Sequence, residues 1–342
     1  MYLGQRTLAG TLVLIMVLST TMISLSVSGE KITYESYIVG NPEDVTTPTE
    51  GGLLLAGGSN DIAAAMAWMT EKSGCGDFVV IRCSGTDAYN PWIYKTVGGV
   101  DSCETIIFLD SDACWDEVVL SKIRGAEALF LAGGDQWDYV SMWKDTPVED
   151  AIHFVMGKPA PVGGTSAGLA VLGEFSFTAE NDTVESEDAL LNPYNRRVCL
   201  ENDFLDMPNM DSIITDSHFV ARDRMGRLVT FLARIVEDDW AQMARGIGID
   251  EKTALGVELN GDVTLFGLCK DGTAAAYFLQ TPGPPKVCEP KTPLTYEGIS
   301  VYKMSIGTTF NIVSWSGEGG AEYTLSAVEG VLTSSQDGGS VY

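Results

Sequence analysis

A chain of 342 residues, 45% hydrophobic and 20% charged, is long enough for one large domain or two small ones and too apolar to stay disordered. Its formal net charge of −26 repels nucleic acid and anionic membrane surfaces, and it leaves cationic substrates or plain solubility as uses for so acidic a surface. No internal repeat or low-complexity tract suggests a solenoid or a disordered chain.

Residues 1–28 carry one charge, Arg6, and the run from Leu8 to Val27 is almost wholly apolar or hydroxylated. With small residues at Ser26-Val27-Ser28, this reads as a secretory signal peptide. The alternative is an uncleaved amino-terminal anchor, because the run approaches membrane-spanning length. Cleavage removes one positive and no negative charge, leaving a mature chain near −26 − 1 = −27. Residues 29–50 are polar and rich in Thr, Pro and Glu, and read as a loose leader. The main domain is expected over 51–330, with a β-rich tail from about 256 and a flexible end at 331–342. In a secreted chain, the seven cysteines are expected to include disulfides of open connectivity, and the odd number leaves at least one over. None forms a CxxC or Cys/His cluster, so no metal site is expected. Asn181-Asp182-Thr183 is a glycosylation sequon.

Gly52-Leu53-Leu54-Leu55-Ala56-Gly57-Gly58 reads as a buried strand ending in a glycine turn, followed by a helix from Ala63 to Met69. Further apolar runs at Phe78–Arg82, Thr105–Leu109 and Ala128–Ala132 read as parallel strands buried on both faces. Helical patterns lie between several of them, as at Trp115–Ile123 and Val148–Met156. This alternation predicts a three-layer α/β fold with a mostly parallel sheet. Residues 174–212 are polar and irregular and read as a long surface excursion near the site. Ser212–Thr215 then reads as a strand, and Leu228, Phe231, Leu232, Ile235 and Val236 mark one face of a long helix. The strand Gly246–Asp250 opens the β-rich tail, where Asn260-Gly261 signals a hairpin and Ile299–Met304 and Phe310–Trp315 read as strands.

Chemistry centres on Pro161-Val162-Gly163-Gly164-Thr165-Ser166-Ala167-Gly168-Leu169-Ala170. It reads as an apolar strand, a glycine turn and an apolar helix, and Gly164-x-Ser166-x-Gly168 is the nucleophile-elbow pattern. A sharp turn there pushes the serine oxygen out at the carboxyl edge of a sheet, and the Ala167 amide at the helix start points where an oxyanion would form. A serine hydroxyl needs a base. Of the two histidines, His153 lies in a partly apolar helical run, whereas His218 directly follows a strand. Residues just past strand carboxyl ends converge on the crevice of an open α/β sheet, which favours His218. Asp216 or Glu251 could orient it, and sequence position does not separate them.

Four ordered segments carry a resemblance. They are Ala132-Gly133-Gly134-Asp135-Gln136, Gly163-Gly164-Thr165-Ser166-Ala167-Gly168, Asp216-Ser217-His218-Phe219-x-x-Arg222-x-Arg224-x-Gly226-Arg227-Leu228, and Gly246-Ile247-Gly248-Ile249-Asp250-Glu251-x-Thr253-Ala254. Over residues 52–260 the chain resembles the cyanophycinases, serine peptidases whose family also contains aspartyl dipeptidases. The resemblance implies a fold like class I glutamine amidotransferases (flavodoxin-like), with serine in place of their cysteine. It implies a Ser166, His218, Glu251 triad, which selects Glu251 over Asp216. That order argues against an α/β-hydrolase esterase, whose acid precedes its histidine. It also implies an oxyanion hole from the Gly133-Gly134-Asp135 turn, through Gly134 and Asp135, together with Ala167. Gln136, Asp216, Arg222, Arg224 and Arg227 match the family's substrate pocket. There the arginines can hold carboxylates and Asp216 a guanidinium.

Two features depart from the family. Ser217 stands where cyanophycinases have glutamine, which removes an amide contact and widens the pocket. The leader differs from the family's intracellular members. The resulting expectation is a secreted serine peptidase acting on cyanophycin or related aspartyl-arginine peptides, with no cofactor or metal, no nucleic acid or membrane partner once the signal is removed, and a possible homodimer. The alternatives are an aspartyl dipeptidase, or a silent acidic matrix or binding protein.

Overall fold

The computed structural model describes residues 31–267 and 274–342. The expected signal peptide and Cys269 lie outside the described residues. In chain order the elements begin with β1 (Tyr34–Gly40), β2 (Gly52–Ala56), α1 (Ala63–Lys72), β3 (Asp77–Arg82), α2 (Tyr89–Trp92), β4 (Ser102–Phe108), α3 (Glu117–Gly125), β5 (Ala128–Leu131), α4 (Gln136–Trp143), α5 (Pro147–Gly157), β6 (Pro161–Thr165) and α6 (Ala167–Ala170). They continue with β7 (Phe175–Phe177), α7 (Ser186–Leu191), β8 (Leu200–Asn202), β9 (Ile213–Asp216), α8 (Met225–Glu237), β10 (Arg245–Ile249), β11 (Thr253–Glu258) and β12 (Asp262–Gly267). The last strands are β13 (Ala275–Gln280), β14 (Tyr296–Ser305), β15 (Thr309–Asn311), β16 (Ser316–Glu318), β17 (Ala321–Val328) and β18 (Val331–Ser334).

These strands form two mixed sheets, where the sequence suggested one mostly parallel sheet. The first runs β1-β4-β3-β5-β6-β2-β11-β12-β15-β16, and only β4-β3-β5-β6-β2 are mutually parallel. The second runs β18-β17-β14-β13-β10-β9-β7-β8 and is parallel only at β7-β9-β10. The difference arises in the tail, where β11–β12, β15–β16 and β17–β18 return through short links, and so short a return forces antiparallel pairing. β11, β12, β15 and β16 extend the first sheet, while β13, β14, β17 and β18 extend the second.

The continuous apolar runs serve both faces of the first sheet, with a period of two. Leu53, Leu55, Val79, Ile81, Leu129 and Leu131 enter one core. The alternate residues Leu54, Phe78, Val80 and Phe130 enter another, against Met66 and Met69 of α1. The first core is shared with the second sheet through Ile213, Ile247, Ile249 and Phe278. On the opposite face of that sheet α8 buries Leu228, Phe231, Leu232, Ile235 and Val236, the stripe read from the sequence. Helix α5 starts where local chemistry asks it to: the Thr146 hydroxyl accepts from the Val148 amide, Pro147 is the first helical residue, and Glu149 and Asp150 stand in the first turn.

Three expectations are corrected. Residues 34–40 of the supposed loose leader form an edge strand antiparallel to β4. Residues 331–342 are not a flexible end: β18 pairs with β17, and the Tyr342 ring packs on Phe219 and Tyr277. The six described cysteines are free. Cys103, Cys114 and Cys288 cannot pair with one another, because each is buried in a different core. Among the described residues no helix is long and apolar enough to cross a membrane.

Tyr342 also accepts from the Met225 amide at the start of α8 (3.0 Å) and donates to Asp223 (2.8 Å). Tyr342→Ala is therefore expected to lower stability by about 2 kcal/mol, from lost ring contacts and two lost hydrogen bonds. Urea denaturation measures this, and an unchanged midpoint would show that the contact adds nothing.

Candidate active site

Ser166 stands between β6 and α6 with φ 54° and ψ −110°, a strained backbone for a non-glycine residue. The elbow glycines permit it. A Cβ on Gly168 would sit 2.0 Å from the Leu131 carbonyl oxygen, and one on Gly164 would strike Gly168. The Ser166 hydroxyl donates to His218 Nε2 at 2.8 Å, and His218 Nδ1 donates to Glu251 Oε1 at 2.7 Å. His218 follows β9, and Glu251 lies between β10 and β11. Three elements at the carboxyl edges of two sheets thus bring the three side chains into one hydrogen-bonded chain.

The turn after β2 aligns them. Ala56 O accepts from Ser166 N (3.2 Å), Gly57 O from His218 N (2.8 Å), and Gly58 O from Lys252 N (3.0 Å), beside Glu251. Gly58 has φ +96°, and a Cβ there would lie 2.6 Å from both Cε1 and Nε2 of His218. The sequence marks this turn only as a strand end. Its two glycines were the available signal, but their partners are distant in the chain.

Burial pushes the His218 pKa below its ordinary 6.5. Arg222 and Arg224 push it the same way, while the hydrogen bond to Glu251 opposes them. The His218 hydrogen bond in turn holds Glu251 below the usual carboxylate range. At neutral pH the imidazole is thus uncharged and able to take a proton, and Glu251 is ionised and able to stabilise the imidazolium that results. His153 has another role: its Nε2 accepts from the Asp206 amide at 3.1 Å.

A cavity of about 420 Å³ opens beside Ser166. Gly134, Asp135, Gln136 and Ala167 line one side, and Gln136 is anchored by donating to Phe177 O at 3.1 Å. The amides of Gly134, Asp135 and Ala167, the three predicted donors, donate to no group among the described residues. Free N–H groups lining one cavity with a serine can receive an oxyanion. Among the described residues no group of three or more His, Cys, Asp and Glu side chains is placed to hold a metal ion.

The pocket charges differ from expectation. Asp216 and Arg227 do line the cavity, but they hold each other. Arg227 Nε donates to Asp216 Oδ2 at 2.8 Å and Nη2 donates to Oδ1 at 2.5 Å, with both side chains buried. Arg227 further donates to Thr183 and stacks on Phe177. The guanidinium that Asp216 takes is the chain's own, so neither residue faces the cavity as a free charge. Arg224 donates to the Ser217 carbonyl at 2.7 Å, and burial lowers its pKa to about 10, still protonated at neutral pH. Arg222 is exposed at the mouth. Opposite in sign are Asp182 and Glu185, contributed by the 174–212 excursion. The irregular pattern of that segment places it near the site but does not single out these acids. Asn181, the sequon residue, is exposed beside them.

No family model matches the chain. It is 26% identical over 215 residues to the cyanophycinase of Trichormus variabilis, covering 63% of this chain and 66% of that one. To the cyanophycinase of Synechococcus elongatus it is 28% identical over 176 residues, covering 51% and 49%. The chain is cyanophycinase-like. It spans 66% and 49% of the lengths of these two curated relatives, slightly under two thirds and about half. A peptidase from an acI-B1 Actinobacterium shares the fold, with a TM-score of 0.50, 15% identity, and coverage of 77% of this chain and 98% of that one.

Two outcomes are expected. The acidic limb of kcat/KM falls below pH 6.5, because activity is lost only as His218 gains a proton and its pKa is depressed. A pH profile with its midpoint above 6.5 would contradict this. Gly58→Ala displaces the imidazole and lowers kcat by about 10²-fold, as ångström-scale misplacement does. Steady-state kinetics would expose an imidazole that tolerates the methyl group.

Proposed function

We propose that this chain is a secreted serine peptidase that hydrolyses cyanophycin or related aspartyl-arginine peptides. The observation that carries the reading is the hydrogen-bonded Ser166–His218–Glu251 chain, whose serine and histidine share one cavity with the free amides of Gly134, Asp135 and Ala167. Ser166 Oγ attacks the peptide carbonyl carbon while His218 Nε2 takes its proton. The carbonyl oxygen becomes an oxyanion held by the Gly134 and Ala167 amides. The intermediate collapses, the C–N bond breaks, and the imidazolium gives its proton to the leaving amine. Water, deprotonated by His218, then releases the acyl group from Ser166. Glu251 keeps the imidazole in the useful tautomer throughout.

The cavity carries both signs of charge, which suits a substrate that also carries both. Arg222 and Arg224 would hold carboxylates of the aspartyl units. Glu185 and Asp182 would take the guanidinium, since Asp216 is occupied by Arg227. Ser217, in place of the family's glutamine, leaves room in the wall. Residues 1–28 support secretion. A chain recovered from the medium should begin just after Ser28, and an intact amino terminus would favour the anchor.

Purified mature protein should release β-aspartyl-arginine from cyanophycin. Ser166→Ala should abolish this, and Glu251→Gln should lower kcat by about 10²–10⁴-fold. Activity confined to small aspartyl dipeptides would instead support the dipeptidase. A folded wild type inert on both would support a binding or matrix protein.

A further inference from the structure

Arg82, the last residue of β3, has no part in the triad or the cavity wall, yet its guanidinium reaches three backbone carbonyls. Nη2 donates to Gly133 O at 3.2 Å, Nη1 to Thr86 O at 3.1 Å, and Nε to Ser84 O. The neighbouring carbonyl in the same turn, Ala132 O, accepts from the Tyr139 hydroxyl at 2.8 Å. At the other end of the turn the Asp135 side chain accepts from the Trp137 amide and caps α4.

The Gly133 carbonyl and the Gly134 amide belong to one peptide unit. In a trans peptide these two groups point in opposite directions, and the described chain contains no cis bond. Tying the carbonyl to Arg82 therefore aims the N–H the other way. The elbow adjoins this peptide: a Cβ on Gly133 would be 3.5 Å from Ser166 Cβ, and Gly134, whose amide donates to no group among the described residues, lines the cavity with Ser166. The peptide needs such a tie. It is flanked by two glycines, so little steric penalty opposes its rotation. Rotated, it would put a carbonyl oxygen where an oxyanion must form, and the charge would be repelled.

We propose that Arg82 is a positioning residue that sets the Gly133–Gly134 peptide so that one oxyanion-hole donor is permanently formed. This rests on the serine-hydrolase reading above. The test is the rate at which a fluorophosphonate probe modifies Ser166, which requires the nucleophile and the hole but no particular substrate. Arg82→Ala is expected to slow labelling by about 10²-fold, the effect of losing one oxyanion donor. On any hydrolysed peptide, kcat should fall by the same factor with KM held within about twofold. The acidic limb of the pH profile should not move, because His218 is untouched. Arg82→Lys should recover part of the rate, since an ammonium can still donate to one carbonyl. Arg82→Met, which keeps the packed stem, is measured in parallel so that a folding failure of the alanine variant does not void the test. Folded Arg82→Met labelled at the wild-type rate would overturn the assignment and leave the serine-hydrolase reading intact. A wild type that is folded but never labelled at Ser166 would overturn that reading, and this assignment with it.

Discussion

Three consecutive carbonyls, those of Ala56, Gly57 and Gly58, hold the site together by accepting from the amides of Ser166, His218 and Lys252. Each bond contributes only about 0.5–1.5 kcal/mol to stability. Their importance is geometric. Ser166 belongs to the first sheet, His218 leaves the second, and Glu251 lies on the link between β10 and β11 that joins the two. A single turn bonded to all three segments converts two independent sheet edges into one fixed distance set. The absence of a side chain at Gly58 then lets the imidazole lie directly against that turn.

Electrostatics divides the arginines that the sequence presents as one cluster. Arg227 is internal, paired bidentately with Asp216 and stacked on Phe177, and Arg224 braces the Ser217 carbonyl. Losing one partner of such a buried pair costs about 3–5 kcal/mol. The pair therefore serves as a wall, fixing the strand end from which His218 departs. Arg222, at the mouth, stays available to a ligand. Its charge and that of Arg224 also keep His218 neutral, so the pocket that would hold a carboxylate also prepares the base.

The strands before the elbow were legible because burial on both faces leaves continuous apolar runs such as Phe78–Arg82 and Ala128–Ala132. The elbow was legible because only glycines fit at 164 and 168 around so tight a turn. The edge strand Tyr34–Gly40 was not, because one free edge and mostly exposed side chains leave no periodic signal in Tyr-Glu-Ser-Tyr-Ile-Val-Gly. The far edge of the second sheet was hidden for another reason: β7 and β8 have three residues each, too few to show a period.

The sequence by itself determined the chemistry available: a serine on a sharp turn, one histidine past a strand, a carboxylate past the next, and free amides at a glycine turn. Those are local properties, set by which backbone a short segment can adopt. Only the tertiary structure decided which charges meet. It gave Asp216 to Arg227, left Glu251 for His218, turned Asp182 and Glu185 into the cavity, and brought Arg82 to the Gly133 carbonyl. The reason is physical. Each of these pairings joins side chains from different elements, and in a charged cluster every acid has several bases within reach along the sequence. Packing alone selects among them.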